Sequence, residues 1–184
     1  MASLGNLVVL ELERVAFPPT LDFEAWDAEL ERLTLAWCPG ADVLIYAQMA
    51  NAFADSLTHL RLALDPPSPG VDVSFTLPRL VDLELHGENA VDNLPFFEAV
   101  PVDLLTLKYE GVGVPWLSSS ARLRLLDGVK LVSSTLKAFT YNESLLDCID
   151  MDEFQECSDF LDKQGIAWGM IQPDEEDEMD ESFD

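Results

Sequence analysis

Positive charge is what this chain has least of. Lys and Arg together number 10 against 35 Asp and Glu, for a formal net charge of −25 over 184 residues. So acidic a surface repels nucleic-acid backbones and anionic membranes, which argues against both as partners. A basic protein partner is compatible with it, although acidic residues also serve simply to solvate outer faces. Cysteine is scarce too. Cys38, Cys148 and Cys157 are odd in number and form no CxxC pair, which reads as reduced thiols of the cytoplasm or nucleus. Long apolar runs are missing: none reaches the roughly 18 residues of a membrane span, and the uncharged stretch from Val43 to Ala54 is only helix-sized. Met1-Ala2-Ser3 brings no basic n-region, so no secretory signal is read there, and the sequon Asn142-Glu143-Ser144 has no secretory route. The expectation is an intracellular protein, cytoplasmic or nuclear.

Catalytic signatures are equally absent. No Ser-His-Asp, Cys-His or glycine-rich phosphate motif occurs, and Gly111-Val-Gly113 lacks the third glycine and the strand-to-helix setting. His59 and His86 with Asp82 and Glu84 are the nearest approach to a metal set, but no close-spaced ligand motif supports them. The expectation is therefore no catalytic residue, no metal and no cofactor.

What the chain does have is a recurring leucine figure: an apolar residue, a second three positions on, and a third two beyond that. It runs as Leu7, Leu10, Leu12; Leu30, Leu33, Leu35; Leu57, Leu60, Leu62; and Leu80, Leu83, Leu85. Val102, Leu105, Leu107 and Leu136, Phe139, Tyr141 continue it. Successive copies begin 23, 27, 23, 22 and 34 residues apart. Self-similarity at such periods marks a repeat architecture. The last two apolar residues of each copy alternate with polar ones, which is the pattern of a short half-buried strand. One unit cannot bury its own inner face, so stacked units share a continuous core.

This figure resembles the leucine-rich repeat pattern LxxLxLxxN/C over roughly residues 4 to 145. Cys38 fills the N/C position of the second copy, whereas Val15, Asp65, Glu88, Glu110 and Ser144 stand there in the others. The resemblance implies an α/β solenoid, with a curved parallel sheet on its concave face and irregular helices and loops on its convex face. The alternative is an ordinary α/β domain with leucine-rich strands, which six in-phase copies disfavour. Two regions are expected: residues 1–172 as the repeat domain, with about six irregular repeats, and 173–184 as a disordered acidic tail.

Between the strands, Phe23 to Ala28 and Ala41 to Asp55 read as helices, and Val71 to Phe75 as a small extra strand. A short helical turn around Leu94, Phe96 and Phe97 and a helix over Trp116 to Gly128 come next. The 34-residue spacing leaves room for a degenerate repeat. Met151 to Lys163 is amphipathic, with Phe154, Cys157, Phe160 and Leu161 on one face and Gly165 placed as C-cap. It is the expected closing helix, near 151–163, and Ile166 to Ile171 the last strand. Nothing caps the first unit, so a preceding segment, a partner or a second copy is expected to cover it.

In a leucine-rich repeat sheet the residues between the buried leucines face the concave side. That places Glu11 and Glu13 in the first strand, Arg32 and Thr34 in the second, and His59 and Arg61 in the third. Asp82, Glu84 and His86 come in the fourth, Thr106 and Lys108 in the fifth, and Thr140 and Asn142 in the sixth. Trp37, in the turn after the second strand, is the candidate anchor among four tryptophans. This strip reads equally as a self-neutralising ladder of surface ion pairs and as a mixed-charge recognition surface for a protein.

The irregular repeat lengths, acidic loops, Pro-rich inserts and the ending FLDKQGIAWGMI are similar to the repeat region of fungal F-box proteins. That resemblance implies a non-catalytic substrate-recognition module of a ubiquitin ligase adaptor. The repeats begin at Leu4, so an F-box is sought ahead of Met1, and no functional residue transfers. A second resemblance, to the acidic leucine-rich nuclear phosphoproteins, implies a free-standing binder of basic proteins such as histones. An enzyme is the third class, and no motif favours it.

Overall fold

The computed structural model describes residues 6–17, 26, 28–63, 73–110 and 123–171. Seven strands form one all-parallel sheet in sequential order: β1 (Val9–Glu13), β2 (Arg32–Ala36), β3 (His59–Ala63), β4 (Asp82–His86), β5 (Leu104–Lys108), β6 (Ala138–Tyr141) and β7 (Ala167–Met170). Parallel neighbours need a crossover, and helices occupy several of them. These are α1 (Val43–Ala52), a 3-10 helix (Val91–Phe97), α2 (Leu125–Val132), α3 (Glu143–Leu146) and α4 (Met151–Gln164). The fold is α/β.

The register is strict. Leu10, Leu33, Leu60, Leu83, Leu105, Phe139 and Trp168 stand in one row across the sheet, and Leu12, Leu35, Leu62, Leu85, Leu107, Tyr141 and Met170 in another. In β2 to β6 both rows are buried and join the apolar residues of α1, α2, α4 and the 3-10 helix in one core. Burying each leucine contributes roughly 2 kcal/mol. At the two edges the rows are less covered: Leu10 and Leu12 are half-buried, and Trp168 and Met170 are exposed.

The repetition extends to the backbone. At the entries of β2 to β6 one carbonyl accepts two successive amides. Val8 O takes those of Glu31 and Arg32, Glu31 O those of Thr58 and His59, and Thr58 O those of Val81 and Asp82. Val81 O and Asp103 O continue the series. At the exits of β1, β2 and β4 the next residue turns left-handed: Arg14 (φ 54°), Trp37 (φ 47°) and Gly87 (φ 107°). Only glycine takes such a φ without strain. The buried Cys38 thiol donates to Leu12 O (3.2 Å) and Ala36 O (3.4 Å), tying the second unit to the first. The Asn142 side chain does the same at the other end: it accepts from Tyr109 N and donates to Tyr109 O, each at 2.9 Å.

Local chemistry sets the helix ends. The Asp42 carboxylate accepts from Ile45 N as N-cap of α1, and the Asp150 carboxylate from Asp152 N as N-cap of α4. Gly165 closes α4 in the left-handed conformation (φ 71°). The expected closing helix and final strand are thus present as α4 and β7.

Several expectations are corrected. Residues 73–75, the described part of the presumed extra strand, lie in no ladder, and neither do Thr76 and Leu77. The groups of this segment bond instead to Asn51, whose amide bridges Ser74 O and Thr76 N, and to Phe96 O. Of the helix expected over Trp116 to Gly128, residues 116–122 lie outside the described residues; the described helix is Leu125–Val132, with Arg124 at its N-cap and Leu123 outside it. β5 and β6 pair directly, and residues 111–122 of the long spacing, where a degenerate repeat is expected, lie outside the described residues. The presumed helix over Phe23 to Ala28 lies almost wholly outside the described residues, as does the acidic tail. No helix among the described residues is long and apolar enough to cross a membrane.

Candidate functional site

Period two puts every second residue of each strand on the face opposite the core. In register, Val9, Arg32, His59, Asp82, Leu104, Ala138 and Ala167 form one row of this open face. Glu11, Thr34, Arg61, Glu84, Thr106, Thr140 and Gly169 form the next, and Glu13, Ala36, Ala63, His86 and Lys108 the third. The predicted strand residues are thereby brought together on one surface. Asn142 is the exception, because its side chain is spent on the Tyr109 backbone.

Charge on this face alternates in bands across the strands. β1 carries Glu11 and Glu13, β2 and β3 carry Arg32, His59 and Arg61, β4 carries Asp82 and Glu84, and β5 carries Lys108. Beyond, Leu104, Thr106, Ala138, Thr140 and Gly169 make a neutral shelf, on which the Thr106 and Thr140 hydroxyls bond each other at 2.8 Å. Four carboxylates thus stand with three of the chain's ten Lys and Arg side chains, while the whole chain carries −25. The acidic excess lies elsewhere.

A cleft of about 360 Å³ opens over β1 to β4, lined by Glu11, Arg32, Thr34, His59, Arg61, Asp82 and Glu84 with the backbone flanks of the sheet. Arg61 reaches Glu13 only at 3.9 Å, and its Nε is buried with no hydrogen-bond acceptor among the described residues. Burial raises the Asp82 pKa above the ordinary carboxylate value, with Glu84 adding to the rise and His59 and Arg32 opposing it.

Next to the cleft lies a tighter cluster. His86 is 1% exposed, and its Nε2 lies 2.6 Å from Glu84 Oε1 and its Nδ1 2.9 Å from Glu110 Oε1. Ionised carboxylates only accept, so completing both bonds takes the doubly protonated ring. Lys108 Nζ meets the same Glu84 oxygen at 2.6 Å. Burial resists ionising Glu84, but the hydrogen bonds from His86 and Lys108 prevail and bring its pKa down to about 2. The Trp37 ring, 40% exposed, packs edge-on to His86. It has to cross β3 to do so, and the register puts Ala63 there. Ala36 and Ala63 are 0% and 4% exposed although they belong to the open-face ladder.

The leucine pattern marked Glu110 only as the occupant of the N/C position of the fifth copy, with nothing to say that it meets His86. It stands two positions past β5, where side-chain direction does not follow strand alternation. Both ring nitrogens of His86 are committed to carboxylates, and His59 Nδ1 lies 2.8 Å from Thr58 Oγ1. Among the described residues, no group of three or more His, Cys, Asp or Glu is arranged to hold a metal ion. Comparison with protein-family models, curated proteins and solved structures finds no match to this chain.

Proposed function

We propose that this chain is a leucine-rich-repeat-type solenoid whose open sheet face recognises a protein partner without catalysis. The observation that carries the reading is the contrast between that face and the rest of the chain: balanced, mixed-charge and clefted within a molecule of −25. Recognition surfaces combine polar groups that set specificity with a few aromatic anchors, and exposed Trp37 beside the Arg61 cleft supplies both. The sequential parallel strands, the repeated two-amide acceptors and the Cys38 and Asn142 ties support the solenoid part of the reading. In its fuller form the face selects the substrate of an F-box-type ubiquitin ligase adaptor. The second reading, a free-standing acidic binder of basic proteins such as histones, rests on net charge, and it would place contacts away from Arg32, Arg61 and Lys108.

The test is comparative capture from native extract with wild type, Arg61→Glu, Trp37→Ala and the α4 surface control Lys163→Glu. Partners lost from both face variants and kept by the control support the open face. An unchanged set of partners in both face variants would move the site elsewhere. Ligase subunits among the captured proteins would support the adaptor role, and histones released by moderate salt the second reading.

A further inference from the structure

The proposed recognition face also carries information about the charge order of what it binds. Taken across the strands, the sequence of charge is acidic at β1 (Glu11, Glu13), basic at β2 and β3 (Arg32, Arg61) and acidic at β4 (Asp82, Glu84). Neighbouring strands lie about 4.8 Å apart, so the centre of the basic band is one and a half strands, about 7 Å, from each acidic band. Two residues of an extended peptide also advance about 7 Å and bring the side chain back to the same face. We propose that the cleft accepts an extended partner segment laid across β1 to β4, with the pattern basic–x–acidic–x–basic. This rests on the open-face reading above and adds the chemistry of the occupant.

The central acidic residue is the most specific part of the assignment. In a chain so poor in cations, two arginines on adjacent strands line one cleft. Arg61 is not saturated from within: its nearest carboxylate is 3.9 Å away and its buried Nε has no acceptor among the described residues. Arg32 makes no ion pair within 4.0 Å among the described residues. A carboxylate entering between them meets donors suited to forked hydrogen bonding. Glu84 is already held by His86 and Lys108, but among the described residues Glu11, Glu13 and Asp82 are in no hydrogen bond with a basic side chain, so the flanking basic residues of the segment also find open partners. A purely basic segment would set a like charge against Arg32 and Arg61, and a purely acidic one would meet Glu11 on one side and Asp82 on the other.

The experiment uses capped synthetic peptides containing Lys-Thr-Glu-Thr-Lys, its permutation Glu-Thr-Lys-Thr-Lys, the inverted Glu-Thr-Lys-Thr-Glu and the all-basic Lys-Thr-Lys-Thr-Lys. Each is titrated against the full chain by calorimetry at low ionic strength. The first peptide is expected to bind about tenfold more tightly than its permutation of equal net charge, the ratio that two exposed ion pairs supply. Arg61→Glu, and separately Arg32→Gln should the first variant fold poorly, are expected to erase that preference. Tightest binding of the all-basic peptide, equal binding of all four, or a preference that survives both variants would overturn the charge-order assignment. Loss of a native partner from Arg61→Glu and Trp37→Ala in the capture experiment would leave the open-face reading standing even then.

Discussion

The indole of Trp37 stands edge-on to the imidazole of His86, with ring centroids 6.5 Å apart and planes at 78°, although the two residues belong to β2's exit and β4. The contact joins the exit of β2 to β4, with β3 between them in the sheet. It also depends on a backbone conformation, φ 47°, that a tryptophan adopts only at a cost of roughly 1 kcal/mol.

Replacing Trp37 therefore separates ring from backbone. Trp37→Ala is expected to lower stability by about 1–2 kcal/mol, since it removes the ring contact with His86 and keeps the strain. Trp37→Gly loses the same ring but relieves the strain. It is expected to be about 1 kcal/mol more stable than the alanine variant, the reverse of the usual order in regular structure. Urea midpoints of the two variants decide it, and an alanine variant at least as stable as glycine would contradict the account.

Glu84 supplies a pH dependence of definite sign. Its folded pKa, about 2, lies below the ordinary 4.5. The stabilisation is therefore fully present above pH ~4.5 and is lost as pH falls from there toward 2. Wild type is expected to lose urea resistance across that window more steeply than Glu84→Gln. At neutral pH the variant is expected to be the less stable by on the order of 2 kcal/mol. Asp82, shifted upward by burial, works in the opposite sense, so Asp82→Asn is expected to steepen the wild-type acid loss rather than flatten it. Parallel pH profiles for wild type and Glu84→Gln would show that the cluster contributes nothing.

Gly128 sits where α2 meets the 3-10 helix. An added Cβ would lie 2.7 Å from Leu94 Cδ1 and 3.2 Å from Leu123 Cδ2, and Leu94 is fully buried. Alanine improves helix propensity by up to about 1 kcal/mol, whereas overpacking costs about 1–3 kcal/mol. Gly128→Ala is expected to be destabilising by about 1 kcal/mol, and Gly128→Val by clearly more. Thermal or urea unfolding of the pair measures it; a stabilised alanine variant would mean that Leu94 yields freely.

The three cysteines are expected to react in order of exposure. Cys157 is buried in α4, and burial, with Glu153 nearby, pushes its thiol up to about 12, far from thiolate formation at neutral pH. Cys38 is buried and donates to two carbonyls. Cys148 is half-exposed. A chromogenic disulfide reagent should therefore label one thiol quickly in the native protein and all three only in denaturant, with peptide mapping placing the first label on Cys148. Rapid native labelling of Cys157 would contradict the packing of α4 on α2.

Every leucine figure found by spacing alone coincides with a strand, from Leu10 and Leu12 in β1 to Phe139 and Tyr141 in β6. A row of apolar side chains every second residue has only one face on which to be buried. The same alternation made the open-face residues legible, from Glu11 to Lys108, because in-register parallel pairing keeps them on one surface. What escaped was set by groups distant in sequence. Val73, Phe75 and Leu77 alternate like a strand, yet the Asn51 side chain takes the hydrogen bonds that a ladder would need. Glu110 reaches His86 from beyond a strand end, and Asn142 is drawn away from the face by the Tyr109 backbone. The α2 boundary was misplaced because Leu123 is apolar and close to Gly128 in space without being helical. Its amide bonds to Asp92 instead.

Because each strand of the sheet lies beside the one before it in the chain, β1 and β7 stand at opposite edges. Tension applied between the two ends therefore loads the outermost hydrogen-bond ladders first and opens them one bond after another, like a zip, rather than all together in shear. Each released strand hands the load to the next. Such a molecule yields to pulling in several small steps, beginning at its half-covered edges, and gives way gradually where a sheet with both ends on central strands would hold and then snap.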